Sequence, residues 1–319
     1  MGYKIYSRLD EIPSGNAPET VTEGCIALEG GAFRGVYTNG VMDALMEEGI
    51  CFRTTYGVSA GAMNAINYVS GQIGRSARVN LRFRHDSRYV GKDALKGNRG
   101  IVGFDFVFGD LPGIEPLNRE RLMDPATELF AVAACLETGK AEALGKGGSP
   151  EDVFKAVQAS ASMPYIAMPV EIGGKHYLDG GCACKIPYRF PLERGFEKIV
   201  VVRTRPRTYR KKLKTSRHFD TAKLVYRRYP EFIVSLARSG EDYNRQCDEL
   251  ELLEARGRIF VMAPSRPVTV GRFEGSMGKL GELYRLGYND AKERIPALKE
   301  YLALPRTAVL PRTAEFRRK

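Results

Sequence analysis

The sequence predicts an α/β protein in which a mostly parallel sheet is covered by helices on both faces. Short, mostly apolar runs alternate with stretches whose apolar residues recur at helical spacing. Apolar runs of this kind are typical of parallel strands that are buried on both faces. Glycine-rich loops join two of these strands to the helices that follow, and no internal repeat interrupts the pattern. This combination indicates a single large α/β core.

The first predicted strand, residues 25–29, leads into a loop at residues 30–35 that reads Gly-Gly-Ala-Phe-Arg-Gly, and a helix is predicted at 36–48. The backbone N–H groups of such a loop can bind an anion. A dinucleotide fingerprint is excluded because Ala32 replaces its middle glycine and residues 50–56 contain no acid. A P-loop is excluded because Gly-Lys-[Ser/Thr] is missing. An oxyanion hole for acyl transfer and a tight turn without a ligand remain.

A second glycine-flanked turn, residues 57–61, reads Gly-Val-Ser-Ala-Gly. It places Ser59 between a strand predicted at residues 50–56 and a helix that starts directly after the serine. Gly57 and Gly61 allow the sharp bend that lifts a serine hydroxyl out of such a turn. The helix N-terminus offers unpaired N–H groups and a positive dipole end, which favour an oxyanion beside the serine. A purely structural turn is the alternative.

A third motif, Asp-Gly-Gly, lies at residues 179–181. The residues before it, 171–177, predict a hairpin with a Gly-Gly turn. Asp179 is therefore expected at the end of a strand. An isolated Asp-Gly-Gly is typical of a plain turn, so its functional interpretation depends on the other two loops.

In this order, the three motifs resemble those of the patatin-like phospholipase family. Residues 30–35 match its oxyanion motif, 57–61 its nucleophile elbow and 179–181 its catalytic aspartate motif. The small-residue segment 159–164 and the stretch 186–205 also agree with the family. The resemblance thus covers about residues 22–205. Residues 266–268 and 283–288 resemble, more loosely, the C-terminal region of one bacterial branch.

The resemblance implies a three-layer α/β/α fold and a catalytic dyad, with Ser59 as nucleophile and Asp179 as general base. It implies an oxyanion hole formed by Gly30, Gly31 and Ala32, although the family usually has a third glycine where Ala32 stands. It further implies hydrolysis of lipid acyl esters, of the phospholipase A or lysophospholipase type, without a metal or other cofactor. The motif residues expected to support the site are Arg34, Gly35, Gly57, Gly61, Gly180 and Gly181.

The histidines of the chain give an independent argument for a dyad. A Ser-His-Asp triad needs a histidine, and the chain has only His85, His176 and His218. In the order Ser…Asp…His only His218 follows Asp179, and it lies in a basic run. His176 is three residues from Asp179 on one predicted strand, so the two side chains are expected on opposite faces. A structural role is therefore expected for each histidine.

Composition and length predict a cytoplasmic enzyme. We divide the chain into an N-terminal polar segment (1–21), a catalytic core (22–205) and a basic, mostly helical C-terminal region (206–319). Residues 1–23 lack an apolar signal core, and no run of 18 apolar residues exists. The six cysteines form no Cys-x-x-Cys pair, which argues against zinc. We expect Cys25 and Cys51 to be reduced core residues.

Nearly all of the net charge of +11 comes from residues 203–228, which hold eleven Lys or Arg and one acid. A solvated basic face and peripheral contact with an anionic membrane surface are both open. Nucleic acid is the weakest interpretation, because no zinc-finger or RNP-type motif accompanies the charge.

A second segment, residues 75–135, is a long insertion in which Phe104, Phe106 and Phe108 alternate. They predict either a strand packed into the core or a mobile wall of an acyl-binding cleft.

Three functions remain open for the chain. The first is a serine lipid acyl hydrolase. The second is a non-catalytic member of the same fold that binds lipid or a partner, and the third is an acyltransferase that passes the acyl group to an alcohol. The motifs do not define the head group, the acyl chain length or the acyl position.

Overall fold

The structure is a computed structural model that describes residues 3–212 and 217–305. The strands in these ranges are β1 (Gly15–Asn16), β2 (Thr22–Leu28), β3 (Phe52–Val58), β4 (Gln72–Ile73), β5 (Glu128–Cys135), β6 (Ala141–Leu144), β7 (Val170–Ile172), β8 (Lys175–Asp179), β9 (Ile199–Val202) and β10 (Phe260–Met262). The helices are α1 (Val36–Glu47), α2 (Ala60–Val69), α3 (Arg75–Phe83), α4 (Lys92–Asn98), α5 (Arg119–Leu122), α6 (Pro150–Ala161), α7 (Arg189–Glu193), α8 (Arg217–Val225), α9 (Pro230–Ala255) and α10 (Met277–Ala303).

Within the described ranges the central sheet has eight strands, in the order β10-β9-β2-β3-β5-β8-β7, with β6 paired to β5. The pairs from β10 through β9, β2 and β3 to β5 are parallel. The pairs that β5 makes with β6 and β8, and the β7–β8 pair, are antiparallel. The structure therefore confirms the predicted mostly parallel sheet. Strand β10, from the C-terminal region, adds to the sheet beside β9.

Two hydrophobic cores lie on opposite faces of this sheet. In β2, Ile26 and Leu28 belong to the core formed with α1, α2, α6 and α10. Cys25 and Ala27 belong to the second core, formed with α7 and α9. Because successive strand residues point to opposite faces, a central strand covered on both sides is apolar at nearly every buried position. The three-layer α/β/α arrangement follows from this packing.

Helix α10 crosses α1 so closely that glycine is required at the contact. A Cβ on Gly40 would lie 2.1 Å from the Tyr284 carbonyl oxygen, and one on Gly287 would lie 2.0 Å from the Tyr37 carbonyl oxygen. Real Cβ atoms do not approach oxygen this closely. Helix α1 starts directly after the glycine-rich loop, so α10 supports the element on which that loop rests.

The aromatic run in the long insertion is helical, and the predicted strand is wrong. Residues 106–110 form a short π-helix. Phe104 and Phe106 are buried, and Phe108 stacks on Phe154 of α6 with 4.5 Å between ring centroids. None of the described helices combines the length and apolar character needed to cross a membrane.

Candidate active site

Ser59 lies at the turn from β3 to α2 and is the N-cap of that helix. Its backbone adopts φ 56° and ψ −121°, a conformation that costs a residue with a side chain about 1–3 kcal/mol. Both flanking glycines are needed because neighbouring carbonyl oxygens lie too close to leave room for a Cβ. A Cβ on Gly57 would lie 2.5 Å from the Gly61 carbonyl oxygen, and one on Gly61 would lie 2.5 Å from the Leu28 carbonyl oxygen. Strained backbone of this kind is concentrated at functional sites.

Asp179 ends β8, and its carboxylate is in direct contact with Ser59. The Ser59 hydroxyl donates a hydrogen bond of 2.6 Å to Oδ2 of Asp179. The other oxygen, Oδ1, accepts the N–H of Gly181 at 2.7 Å. A Cβ on Gly180 would lie 2.0 Å from the Val132 carbonyl oxygen, which explains the first glycine after the aspartate. The structure thus brings together the two residues that the sequence places 120 positions apart.

The Ser59–Asp179 pair is buried: the two residues are 9% and 8% exposed. Burial raises the pKa of the Asp179 carboxyl above its usual value. Hydrogen bonds from the Ser59 hydroxyl and the Gly181 N–H oppose this rise, as do the charges of Lys185 and Arg272. The carboxylate is therefore a stronger proton acceptor than an exposed aspartate while still being held in its charged form by its donors.

The glycine-rich loop lies against the serine, and one of its expected donors is already used. A Cβ on Gly30 would be 3.2 Å from the Ser59 Cβ, so a larger residue there would crowd the serine. The Gly30 N–H donates to the Lys185 carbonyl oxygen at 3.2 Å. In this structure the Gly30 N–H thus already has an acceptor within the protein. The N–H groups of Gly31 and Ala32 are the remaining candidates.

Ala32 has a φ of 49°, in the left-handed region that favours glycine. This is the position at which the family usually has glycine. The loop thus keeps a glycine-like backbone conformation although the residue carries a Cβ. The strain costs about 1 kcal/mol.

Ser160, in the last turn of α6, is a site residue that the sequence analysis did not single out. Its hydroxyl accepts the Ser59 N–H at 2.9 Å and donates to the Val132 carbonyl oxygen at 2.6 Å. The Ser162 carbonyl oxygen accepts the Asp179 N–H at 2.7 Å. The end of α6 therefore holds both Ser59 and Asp179. The small-residue segment 159–164 was the available sequence signal for this role. It did not show whether a serine in it forms a hydrogen bond at the site or only packs against its neighbours.

A buried polar network fixes the glycine-rich loop to α2. Asn64 of α2 donates to the Gly35 carbonyl oxygen at 2.9 Å and accepts from Asn39 at 2.8 Å. Asn39 also donates to Ser76 at 2.9 Å, and Ser76 donates to Asn64 at 3.0 Å. Such satisfied buried networks rigidify a structure. Sequence reasoning missed the network because its residues are far apart in the sequence and form no recognisable motif.

A mainly apolar pocket opens beside Ser59. It holds about 590 Å³ of empty space, part of which is open to solvent, and Ser59 lies on its wall. None of Phe104, Phe106 and Phe108 is among the residues that line it, so the interpretation of these rings as a cleft wall is wrong for this pocket. The residues that supply its apolar lining are Ala32, Phe33, Ala60, Met63, Val90, Val102, Ala161, Met163 and Phe273.

The described histidines have partners outside the dyad. The His85 Nε2 lies 2.8 Å from the Gly275 carbonyl oxygen, and the His176 Nδ1 lies 2.8 Å from Glu137. The side chain of His218 lies outside the described residues. None of the six cysteines, all within the described residues, forms a disulfide, and Cys25 and Cys51 are buried as predicted. Among the described residues no three His, Cys, Asp or Glu side chains are grouped so that they could hold a metal ion.

Several cations of segment 203–228 are buried or paired with acids of α9, so they do not form a purely solvated basic face. Arg203 is 1% exposed and donates to the Tyr243 hydroxyl at 3.3 Å. Arg207 pairs with Glu254 of α9. Arg210 pairs with Asp248 and Glu251 of the same helix, both at 2.7 Å. Lys214 lies outside the described residues.

Comparison with known proteins agrees with this geometry. The model of the patatin-like phospholipase family matches residues 26–192, more than half of the chain. A domain of unknown function, DUF6363, matches residues 229–303. The chain therefore belongs to the patatin-like phospholipase family. This membership supports lipid hydrolase activity.

Three known proteins are similar to the chain. Uncharacterized protein YjjU of Escherichia coli (strain K12) is 27% identical over 282 residues, which are 83% of this chain and 75% of that protein. The structure of VipD from Legionella pneumophila aligns with 90% of this chain and 68% of its own, at 13% identity and a TM-score of 0.45. ExoU of the type III secretion system of Pseudomonas aeruginosa, solved with SpcU, aligns with 89% of this chain and 53% of its own, at 15% identity and a TM-score of 0.35.

Proposed function

We propose that this protein is a serine lipid acyl hydrolase in which Ser59 is the nucleophile and Asp179 the general base. The observation that carries the proposal is the 2.6 Å hydrogen bond from the Ser59 hydroxyl to the Asp179 carboxylate. A nucleophile and its base need this contact. The strained turn at Ser59 and the apolar pocket beside it support the same function.

In the first step Asp179 accepts the hydroxyl proton while the Ser59 oxygen attacks the ester carbonyl carbon. The carbonyl oxygen becomes an oxyanion, which the N–H groups of Gly31 and Ala32 stabilise. Each such donor is worth about 10²–10³ in rate. The protonated Asp179 then gives its proton to the leaving alcohol, and the acyl group stays on the serine.

In the second step water attacks the acyl-enzyme, Asp179 accepts a proton from that water, and the carboxylic acid leaves as the serine recovers its proton. An alcohol in place of water would give acyl transfer. These steps need no metal ion, and we propose that the activity is a metal-independent one of the phospholipase A or lysophospholipase type. We also propose that the enzyme acts in the cytoplasm. Hydrolysis that is lost on EDTA treatment and restored by calcium would contradict the metal-independent mechanism.

The direct test replaces each member of the dyad. Ser59→Ala and Asp179→Asn are each expected to lower the hydrolysis of p-nitrophenyl butyrate at least about 10³-fold, with the protein still folded by circular dichroism. The double variant is expected to be little worse than either single one, because the two residues act as a unit. Ser70→Ala is the control, since it removes a buried hydroxyl at the far end of α2, where it donates to the Ile66 carbonyl oxygen.

A fluorophosphonate probe separates the proposed enzyme from a non-catalytic member of the family. The parent should be labelled at Ser59, and the Ser59→Ala protein should not. Substantial turnover by folded Ser59→Ala protein, or absence of labelling in the parent, would contradict the assignment. Product analysis with added glycerol distinguishes hydrolysis from acyl transfer.

The pH profile tests the role of Asp179 as base. Only its carboxylate form can accept the serine proton, so activity should fall as the pH drops through the pKa of Asp179. Because burial raises that pKa, the loss should begin at a higher pH than an exposed aspartate would give. A kcat/KM profile that stays flat down to the usual aspartate range would contradict this role.

We also propose that α8 contacts an anionic membrane surface at the periphery of the bilayer. Leu224 is 78% exposed and Val225 52%, and the exposed Arg227 and Arg228 follow them. Apolar side chains beside cations suit a lipid surface. The Tyr226 hydroxyl accepts the Tyr165 N–H at 2.8 Å, which links the end of α8 to the loop after α6.

This contact is tested by vesicle binding. The double variant Leu224→Glu, Val225→Glu is expected to sediment less with phosphatidylglycerol vesicles than the parent does, and added salt should weaken binding by the parent. Leu252→Glu, at an exposed leucine of α9, is the control. Equal sedimentation of parent and double variant, or none by the parent, would contradict the contact.

A further inference from the structure

Lys185 closes the turn that follows β8, residues 179–185, which we call the aspartate turn. Its amine donates to the Gly181 carbonyl oxygen within the same turn. A Cβ on Gly181 would lie 3.7 Å from the Lys185 Cγ, so the lysine stem packs against this glycine. The Gly181 N–H in turn donates to Oδ1 of Asp179 at 2.7 Å. The amine therefore holds the residue that holds the Asp179 carboxylate.

The same amine also reaches the C-terminal region. It donates to the Ser239 carbonyl oxygen of α9 at 2.9 Å. Gln246, about two turns further along α9, is 6% exposed. Its side chain accepts the Lys185 N–H at 3.4 Å and donates to the Ile186 carbonyl oxygen at 3.2 Å. Helix α9 thus binds the end of the aspartate turn through both the side chain and the backbone of Lys185.

The backbone of Lys185 also holds the glycine-rich loop. Its carbonyl oxygen accepts the Gly30 N–H at 3.2 Å. Gly30 is followed by Gly31 and Ala32, whose N–H groups are the candidate donors to the oxyanion. One residue therefore joins the aspartate turn, the glycine-rich loop and α9. Because these segments are far apart in the sequence, their relative positions depend on contacts of this kind.

The charge of Lys185 acts on Asp179 as well. Both hydrogen-bond acceptors of the amine are carbonyl groups, which carry no charge that would cancel its own. The cations Lys185 and Arg272 both favour the ionised form of the Asp179 carboxyl. The Ser59 hydroxyl and the Gly181 N–H donate to the same carboxylate. Loss of the Lys185 charge should therefore make Asp179 titrate at higher pH.

We propose that Lys185 is a positioning residue that ties the aspartate turn to α9, so that the C-terminal region sets the placement of Asp179 against Ser59. The inference rests on the proposed hydrolase function and goes beyond it. Helix α9 lies outside the patatin-like match and within the stretch that matches a domain of unknown function, so the proposal gives that stretch a role. Lys185 is not among the residues that line the pocket beside Ser59, and it acts through Asp179 and not on the substrate.

The kinetic test removes the amine and keeps the length of the side chain. Lys185→Met is expected to lower kcat for p-nitrophenyl butyrate about tenfold with little change in KM, because the base is displaced while the pocket stays intact. The acidic limb of the pH profile should move to higher pH, since a cation that favours the ionised form of Asp179 is lost. Lys185→Arg keeps the charge and should return the limb to its parent position.

Gln246→Met separates the tie to α9 from the charge. It removes the other contact between α9 and the end of the aspartate turn but leaves the amine of Lys185 in place. We expect kcat to fall while the acidic limb stays at its parent position. A parent kcat in Gln246→Met would overturn the role of α9.

Lys198→Met is the matched control. Lys198 is also half-buried, and its amine donates to a backbone carbonyl oxygen of the C-terminal region, that of Tyr301 in α10, at 2.8 Å. It precedes β9 at the edge of the sheet opposite the dyad, because β9, β2 and β3 are parallel and Ser59 follows the end of β3. Lys198→Met should therefore keep the kcat and the pH limb of the parent. Lys185→Met with the kcat or the pH limb of the parent, or equal losses of kcat in Lys185→Met and Lys198→Met, would overturn the positioning role.

Hydrogen exchange tests the tie without turnover. In Lys185→Met the amides of the aspartate turn should exchange faster than in the parent, because the turn has lost its contacts with Gly181 and Ser239. In Lys198→Met the same amides should exchange at the parent rate. Parent exchange rates in Lys185→Met would overturn the tie. If the parent hydrolyses no ester, the proposed function fails, while the exchange result still decides whether Lys185 holds the turn.

Discussion

Ser160→Ala tests whether α6 positions the nucleophile. The Ser160 hydroxyl is fully buried and bridges the Ser59 N–H to the Val132 carbonyl oxygen, over 2.9 Å and 2.6 Å. Its removal leaves the Ser59 N–H without this acceptor, at a cost of about 1–3 kcal/mol, and removes a second hydrogen bond worth about 1 kcal/mol. We therefore expect the free energy of unfolding to fall by about 2–4 kcal/mol.

Activity should fall as well, because the backbone of Ser59 is held in a strained conformation that the Ser160 bond supports. A displacement of the nucleophile by a fraction of an ångström is expected to lower kcat about tenfold to a hundredfold, with little change in KM. Urea unfolding followed by circular dichroism measures the first effect, and steady-state hydrolysis of p-nitrophenyl butyrate measures the second.

Ser162→Ala is the matched control. The Ser162 hydroxyl donates only to the Gln158 carbonyl oxygen of its own helix, at 2.8 Å, so its loss should cost about 1 kcal/mol or less and leave kcat near the parent value. If Ser160→Ala unfolds at the parent urea concentration, or if both variants lose kcat equally, the bridge does not position Ser59.

Sequence reasoning succeeded for elements that are governed by local backbone geometry. The turn at Ser59 and the Gly173–Gly174 hairpin turn have φ values that few residues adopt, so their glycines and flanks are visible in the sequence. The end of α1 at Glu47, followed by Gly49 with a φ of 69°, was predicted within one residue. Contact between Ser59 and Asp179 was implied by the family resemblance, not by local pattern.

Sequence reasoning failed where a role depends on contacts between distant segments. Ser160 and Asn64 are ordinary helix residues until the fold places them against the nucleophile turn and the glycine-rich loop. The charge count of segment 203–228 could not show that Arg207 and Arg210 meet the acids of α9. The alternation of phenylalanines at 104–108 suggested a strand, because strand side chains alternate with a period of two. The same spacing also occurs by chance in helical segments, and residues 106–110 form a π-helix.

Two further perturbations test the α1–α10 packing that supports the glycine-rich loop. Gly287→Ala should lower the free energy of unfolding by about 3 kcal/mol, because its Cβ would lie 2.0 Å from the Tyr37 carbonyl oxygen. Gly278→Ala, at an open position of the same helix, should be neutral or stabilising by about 0.5–1 kcal/mol, and equal effects in urea unfolding would contradict this reasoning. Burial raises the pKa of Asp43 in α1 to about 7, although Gly74 and Tyr284 donate to its carboxylate. The folded protein then binds this proton more tightly than the unfolded chain, so the contribution of Asp43 to stability falls as pH rises from about 4 to 7. Asp43→Asn removes this titration, so the stability of the variant relative to the parent should be about 2.5 kcal/mol more favourable at pH 8 than at pH 5. A difference between parent and variant that is the same at both pH values would show that Asp43 keeps an ordinary pKa in the folded protein.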